Sequence, residues 1–253
     1  MRRVVSLTAI LLALGASGGR SDPLWVWEGL NHAAGANDLC ASVMWSGECA
    51  AKIDSALLAE NHEVWRTEQG LHIRTEGDTL VLLSDRHCDC EGALRHLYLG
   101  EIPELRSHVF YAGMYEGRYY VIVDMVSGKT TELQSFPVVS PNGRRFVTAS
   151  ADFMAGDSAN ELQIWMVTPS GPQLEWSMRP GSDLNHPNPD VLSWGPIRPR
   201  WRDQATVSIA ASAYMEINES TRDGGGVRRH GVAPGELIFG LIEERWLFRG
   251  YDP

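Results

Sequence analysis

The chain has 253 residues, of which 43% are hydrophobic and 21% charged, and its formal net charge is −10 at pH 7. Such an acidic chain is repelled by nucleic-acid phosphates and by anionic lipid surfaces, which excludes both as expected partners. The length suits one large domain, or one domain with a small appendage.

The first 18 residues have the three-part pattern of a secretory signal peptide. Arg2 and Arg3 give a basic start, residues 4–14 are almost wholly apolar, and small residues follow at 16–19. The apolar run is shorter than the ~20 residues that span a bilayer. We expect residues 1–18 to be removed and the mature protein to be periplasmic or secreted, without a membrane span; the alternative is a buried N-terminal helix.

Four cysteines form an even set in a chain with an export signal, so we expect disulfides among Cys40, Cys49, Cys88 and Cys90. A bridge between Cys88 and Cys90 would close a very small ring, which is rare in structural bridges. The sequence therefore favours two links between the Cys40/Cys49 segment and the Cys88/Cys90 segment. The alternative pairs Cys40 with Cys49.

Residues 19–62 are predicted to form a helical N-terminal segment. Within residues 37–60, apolar side chains recur at four-residue spacing, and Asn37 or Asp38 can cap the start of the helix. We expect Gly47 to divide this region into two short helices.

From residue 63 onward the apolar period changes from four to two, which is typical of strands. We therefore expect residues 63–253 to form one mostly β domain of antiparallel hairpins. The clearest strand runs, separated by turn residues, lie within 63–85, 117–124, 145–150, 161–167, 200–217 and 236–249.

Internal repetition indicates how the hairpins are organised. A shift of 43 residues places residues 119–123 on 162–166 and the turn at 127–128 on the turn at 170–171. A shift of 61 residues places Asn142 on Asp203, each of which precedes a strand. Spacings near 43 suit the four-stranded blade of a propeller, which commonly takes ~40–45 residues.

Two motifs carry a family resemblance. The D-x-x-S-G stretch at 124–128 and the P-x-x-S-P-N-G stretch at 137–143 resemble the repeats of bacterial TolB-type and WD-like β-propellers, over roughly residues 116–210. The resemblance implies a small β-propeller-like array that serves as an interaction scaffold, and it brings no functional residue with it. Asn142 stands where these repeats usually have Asp. A β-sandwich is the alternative architecture.

The sequence offers two weaker groups of residues that could carry chemistry. Asp183, His186 and Asp190, with His230, could serve a small metal-dependent or acid–base hydrolase. His87 and His96 could hold a metal together with the cysteines near them if those were reduced, but oxidation would remove the thiolate ligands. The preferred interpretation is therefore non-enzymatic, with no cofactor and no metal.

Arginines supply the preferred binding residues. In an extended strand Arg198, Arg200 and Arg202 would point to one face, and Arg228 and Arg229 follow a glycine-rich loop. Either acidic side chains of a neighbouring strand neutralise this stripe, or an anionic partner does. We expect an exported, non-enzymatic binding protein whose partner is another protein or an anionic ligand.

Overall fold

The computed structural model describes residues 23–115, 117–152, 159–217 and 227–252. The signal-peptide prediction lies outside these residues. The helices are α1 (Leu24–Trp27), α2 (Ala36–Leu39) and α3 (Ser46–Leu58), with 3-10 turns at Leu30–His32 and Pro103–Leu105. Among the described helices there is none with the length and apolar character needed to cross a membrane.

The break between the predicted helices lies before Gly47. The backbone is extended at Trp45, directly before α3, and Gly47 belongs to the first turn of that helix. A side chain at Gly47 would come within 3.3 Å of the Tyr111 hydroxyl, so glycine allows the close approach of α3 to the sheet. The cap prediction was also wrong, because Asn37 and Asp38 lie inside α2 and no side chain caps that helix.

Sixteen strands of the described residues form four antiparallel sheets, which confirms the mostly β fold with a short helical N-terminal segment. Sheet I contains β1 (Val64–Thr67), β2 (Gly70–Arg74) and β3 (Leu80–Ser84). Sheet II contains β4 (Leu94–Ile102), β5 (Ser107–Met114), β6 (Arg118–Asp124) and β7 (Thr130–Leu133). Sheet III contains β8 (Val138–Val139), β9 (Arg145–Ser150), β10 (Glu161–Thr168) and β11 (Gly171–Met178). Sheet IV contains β12 (Val191–Trp201), β13 (Thr206–Ile217), β14 (Val227–Val232), β15 (Glu236–Ile242) and β16 (Arg245–Asp252).

In sheets I to III each strand pairs with the next one along the chain. Sheet IV has the order β12-β13-β15-β16, and β14 also pairs with β13. The 43-residue repeat relates β6 to β10, which are the third strands of sheets II and III. The 61-residue repeat relates the turn between β8 and β9 to the turn between β12 and β13. The repeated segments therefore occupy equivalent positions in successive sheets.

The turn at residues 140–143 joins β8 to β9 as the sequence indicated. Gly143 has φ 67°, which any other L-residue adopts at a cost, and its N–H donates to the Ser140 carbonyl at 2.9 Å. The Asn142 carboxamide oxygen accepts the Arg144 N–H at 3.1 Å. Asp203 holds the repeated turn in the same way, accepting the N–H two residues later at 2.7 Å.

Three apolar cores link the sheets in chain order. One joins sheets I and II, for example through Ile73 and Phe110. A second joins α3 to sheets II and III and includes Ile53 and Phe146. The third joins sheets III and IV and includes Ile164. No core of the described residues joins sheet I to sheet IV.

The preferred disulfide pairing was wrong. Cys40 bonds to Cys49 and Cys88 bonds to Cys90. The first bond is the alternative pairing and links α2 to α3. The second is the small ring that the sequence disfavoured: Cys88 and Cys90 lie exposed on a hairpin loop, whereas Cys40 and Cys49 are fully buried, so the two segments do not exchange partners.

Candidate binding cleft

A cleft of about 630 Å³ opens where the helical segment meets sheets II, III and IV. Its walls come from the loop after Leu30–His32, from the turn between β4 and β5, from the segment around β8, and from the end of β12. The apolar lining is Ala34, Ile102, Pro103, Phe136, Pro137, Val138, Val139, Pro141 and Trp201, and the polar lining is His32, Glu101, Glu104 and Arg200.

Trp201 fixes one wall of the cleft. Its indole N–H donates to the Val138 carbonyl at 2.7 Å, which ties the end of β12 to the edge strand β8. Its ring also meets the ring of Trp246 edge-on, with centroids 5.9 Å apart. Because both neighbours belong to the core shared by sheets III and IV, this wall is held in place before any ligand arrives.

The edge strand β8 offers backbone groups to the cleft. The Ser140 N–H donates to the Arg145 carbonyl at 2.9 Å, so Ser140 faces β9. Alternate residues of an antiparallel pair face the partner strand, and the N–H and C=O of Val139 therefore point away from β9. Pro137 and Pro141 flank this short edge and limit the pairing it can make.

The arginine stripe does not have the predicted geometry. The register of β12 shifts between Ile197 and Arg200, and Arg198 has φ 52°. A bulge of this kind breaks the alternation of side chains, so the three guanidinium groups do not line one face. Pro199 is tolerated here because β12 is an edge strand of sheet IV, where a missing ladder donor costs little.

Acidic side chains of β15 and β16 pair with Arg200 and Arg202, which is the first of the two outcomes expected for the stripe. Arg200 contacts Glu236, and Arg202 lies 3.2 Å from Glu236 and 3.1 Å from Asp252. The Arg200 side chain nevertheless stays 64% exposed at the rim of the cleft. Its guanidinium can therefore reach a second anion.

A smaller cavity of about 350 Å³ shares His32 and Arg200 with the cleft, and Arg198 and Glu236 also line it. The structure thus brings Arg198 and Arg200 to adjoining cavities, whereas Arg202 lines neither. Arg228 and Arg229 lie on β14, opposite Glu216 and Met215, and their side chains are outside the described part of the chain. Their role in binding stays a prediction.

One group at the edge of the cleft has the donors of a metal site. Glu63, Glu101 and His108 place one ligand atom each within 4.8 Å of one another, the only such group among the described residues. Two carboxylates and an imidazole could hold Zn²⁺ or Mn²⁺. Glu101 belongs to both this group and the cleft wall. The His108 Nδ1 lies 3.7 Å from Glu101 and 3.2 Å from the Tyr98 hydroxyl, so an ion bound through Nδ1 would have to displace the tyrosine contact.

Burial keeps the imidazole of His108 uncharged. Burial lowers the pKa of His108, although Glu101 and Glu63 act in the opposite direction. The imidazole is therefore neutral at pH 7. Burial also raises the pKa of Tyr98, and the negative charge of Glu101 adds to the effect. Tyr98 can thus donate a hydrogen bond but is not a base at neutral pH.

The loop at 183–190 does not assemble the predicted catalytic group. Asp183 accepts the backbone N–H of Arg179 at 2.7 Å and holds its own turn. His186 is buried, and its ring meets the rings of Trp194 and Tyr251 edge-on. Asp190 is exposed, and the three side chains do not form a group of metal ligands.

The other predicted histidines also have local roles. His230 contacts Trp27 and Tyr214 with its ring and Ser212 through Nε2 at 3.0 Å. His96 is buried, and its Nδ1 lies 3.1 Å from Asp85. His87 is exposed on the hairpin loop. Because both neighbouring cysteines are oxidised, the predicted thiolate–imidazole metal site is not formed.

The sequence did not identify the remaining cleft residues. His32, Glu101, Glu104 and Trp201 lie in no motif that marks a binding site. Only the prolines around β8 gave a local signal, since proline is common beside short edge strands.

Comparison with models of known protein families gives no match for this chain, and comparison with curated proteins gives none either. The function therefore has to be argued from the cleft.

Proposed function

We propose that the protein is an exported, non-enzymatic binding protein whose cleft takes an extended, acidic segment of a partner protein. The observation that carries the proposal is the lining of the cleft: three prolines and Trp201 lie beside the exposed guanidinium of Arg200.

The lining suits an extended peptide for physical reasons. Proline and tryptophan present rigid apolar surface, so little side-chain entropy is lost when a partner covers them. Arginine and tryptophan are enriched among the residues that dominate binding energy at protein interfaces. The outward N–H and C=O of Val139 add one donor and one acceptor for the backbone of the peptide, as in β-strand addition.

Arg200 gives the rim of the cleft a group that can hold an acidic side chain of the partner, whereas Glu101 and Glu104 line another wall. The planar guanidinium can hold a carboxylate through two parallel hydrogen bonds. Glu236 contacts the same guanidinium, but it also has Arg202 as a partner, so an incoming carboxylate does not leave Glu236 without a counter-charge.

The scaffold and the compartment fit this role. The equivalent turns in successive sheets support a β-propeller-like array, an architecture of repeated sheets arranged radially. Two disulfides and the signal-peptide pattern at residues 1–18 favour an oxidising compartment outside the cytoplasm. We therefore assign the protein to the periplasm or the extracellular space.

Photocrosslinking from the cleft tests the proposal. With p-benzoylphenylalanine at Val139, the exported protein should crosslink to a partner, and Arg200→Gln should weaken that capture about tenfold or more. The lost carboxylate–guanidinium contact should also flatten the salt dependence of capture. The thermal midpoint should change little, because the Arg200 side chain is 64% exposed and Glu236 keeps Arg202 as a partner.

Arg179→Gln is the matched control, because that arginine is 71% exposed and lies outside the cleft. It should leave capture unchanged. No crosslink from Val139, or equal losses in the two arginine variants, would contradict the proposal.

A further inference from the structure

The two disulfides lie in opposite environments. Cys40 and Cys49 are fully buried in the core that joins α3 to sheets II and III. Cys88 and Cys90 are both exposed on the hairpin loop between β3 and β4. A dissolved thiol can therefore reach the second bond but not the first without unfolding of the surrounding core.

The exposed bond is not needed to close its loop. The Arg86 N–H donates to the Leu94 carbonyl at 2.8 Å, and the Leu94 N–H donates back at 3.1 Å. Within the loop, the Ala93 N–H donates to the Cys90 carbonyl at 2.9 Å. These backbone bonds hold the hairpin whether the cysteines are oxidised or reduced.

The bond encloses a single residue, Asp89. A ring this small leaves the chain little freedom to relax around the sulfur atoms, which makes the oxidised form less favourable than in a larger loop. Exposed disulfides of this kind have more oxidising potentials and include the labile and catalytic ones.

We propose that Cys88–Cys90 is a thiol–disulfide exchange site that oxidises dithiols of other exported proteins. This exchange does not involve the cleft and does not rest on the proposed binding function. It requires only that dithiols of other exported proteins reach the hairpin loop.

The exchange takes two steps. A thiolate of the partner attacks Sγ of Cys90, the Cys88–Cys90 bond breaks, and the Cys88 sulfur leaves as a thiolate that takes up a proton. The second thiolate of the partner protein then attacks the partner's own sulfur atom in the mixed disulfide. This releases Cys90 as a thiolate that takes up a proton. The partner loses two electrons and becomes a disulfide, and the two cysteines gain those electrons and become thiols.

The neighbours in sequence favour Cys88 as the leaving sulfur. Arg86 lies two residues before Cys88, Glu91 directly follows Cys90, and Asp89 is adjacent to both cysteines. Positive charge near a thiolate lowers the pKa of the thiol, and a thiol of lower pKa leaves faster.

Redox titration of the intact protein tests the inference. The native protein is equilibrated in buffers of reduced and oxidised dithiothreitol, quenched with acid and alkylated, and the two cysteine pairs are separated by peptide mapping. Cys88–Cys90 should become half-reduced at a ratio of reduced to oxidised reagent at least about ten times lower than Cys40–Cys49 needs. Reduction of both pairs at the same ratio would overturn the proposal.

Transfer is measured with a synthetic peptide that carries two cysteines. The oxidised wild type should convert the dithiol peptide to its disulfide, and Cys88→Ser/Cys90→Ser should not. Because Arg86 and Leu94 close the hairpin, this double variant should keep the wild-type circular dichroism.

In the single variant Cys88→Ser, the free Cys90 should form a mixed disulfide with the oxidised peptide. Peptide oxidation at the same rate by the double variant, or no mixed disulfide with the single variant, would contradict exchange at this site.

Discussion

Glu28 attaches the helical segment to sheet II through buried polar contacts. Its carboxylate accepts hydrogen bonds from Ser46 Oγ at 2.6 Å and from the Tyr120 hydroxyl at 2.9 Å, and Arg118 lies 2.5 Å away. A buried carboxylate is tolerated only when its oxygens have such partners. Burial raises the pKa of Tyr120, and the adjacent negative charge of Glu28 adds to the effect, so the phenol remains a donor at neutral pH.

Glu28→Gln should therefore destabilise the protein by about 1–3 kcal/mol, because the partly buried Arg118 loses its counter-charge and the buried Glu28 site loses its charge-assisted contacts. Urea unfolding followed by tryptophan fluorescence measures this change. Glu76→Gln is the matched control. Glu76 pairs with Arg106 on the surface, where both side chains are more than half exposed, and its loss should cost less than about 1 kcal/mol.

Asp85 makes stability depend on pH. Burial alone would raise the pKa of this carboxyl, but hydrogen bonds from the side chain and backbone of His96 and the charge of Arg66 outweigh it and hold the pKa below its usual 3.8. A carboxyl whose pKa is lower in the folded than in the unfolded protein stabilises the fold at pH values above its unfolded pKa. This stabilisation is lost as the pH falls through its folded pKa.

Asp85→Asn should lower stability at pH 7 and reduce the further loss of stability below about pH 4, because no carboxylate remains to be protonated. Thermal midpoints measured from pH 7 to pH 2 follow both effects. Asp38→Asn, at an exposed position in α2, should keep the wild-type pH profile. A profile for Asp85→Asn parallel to that of the wild type would contradict the assignment.

The two disulfides should differ in their contribution to stability as they differ in exposure. The Cys40–Cys49 bond links α2 to α3 and joins residues nine positions apart in the sequence. In the chain-entropy model, closing a loop of this length adds about 2.5–3 kcal/mol to the free energy of unfolding. It is also buried beside Val43 and Ile53 in the same core.

Cys40→Ala/Cys49→Ala should therefore lower the free energy of unfolding by about 2.5 kcal/mol or more. Cys88→Ser/Cys90→Ser should lower it by less than about 1.5 kcal/mol, because the ring is small and backbone hydrogen bonds already close the hairpin. Chemical denaturation of the two double variants gives the comparison. Equal losses would show that the exposed bond also stabilises the fold.

The helical segment and the sheets share one core. Ile53 of α3 and Val109 of β5 are both fully buried in it, together with Phe146 of sheet III. A segment whose apolar face is covered by the sheets cannot unfold without exposing their apolar face too.

Hydrogen exchange should therefore report the same opening free energy for the amides of Ile53 and Val109, within about 1 kcal/mol. The amide of Lys129, in an exposed turn between β6 and β7, should exchange much faster and serves as the reference. A much lower opening free energy for α3 than for β5 would show that the helical segment unfolds independently of the sheets.

The sequence by itself determined the features that depend on local backbone chemistry. The change of apolar period near residue 62 placed the start of the β region within two residues of Val64. The turn at 140–143 followed from the conformational freedom of Gly143 and the local hydrogen bonds of Asn142. Period and turn chemistry involve neighbours along the chain, so they can be deduced without the rest of the fold.

Only the tertiary structure decided the cysteine pairing, the fate of the arginines and the position of the cleft. Because of the bulge at Arg198, the three arginines do not form the expected stripe. Arg200 and Arg202 contact acidic side chains, and Arg198 lines a neighbouring cavity. Trp201 reaches Val138 across 63 residues of sequence, and Glu63 reaches Glu101 and His108 through the packing of sheet I on sheet II. Such contacts depend on which sheets pack together. That choice is made by apolar burial summed over the whole chain, which no single stretch of sequence contains.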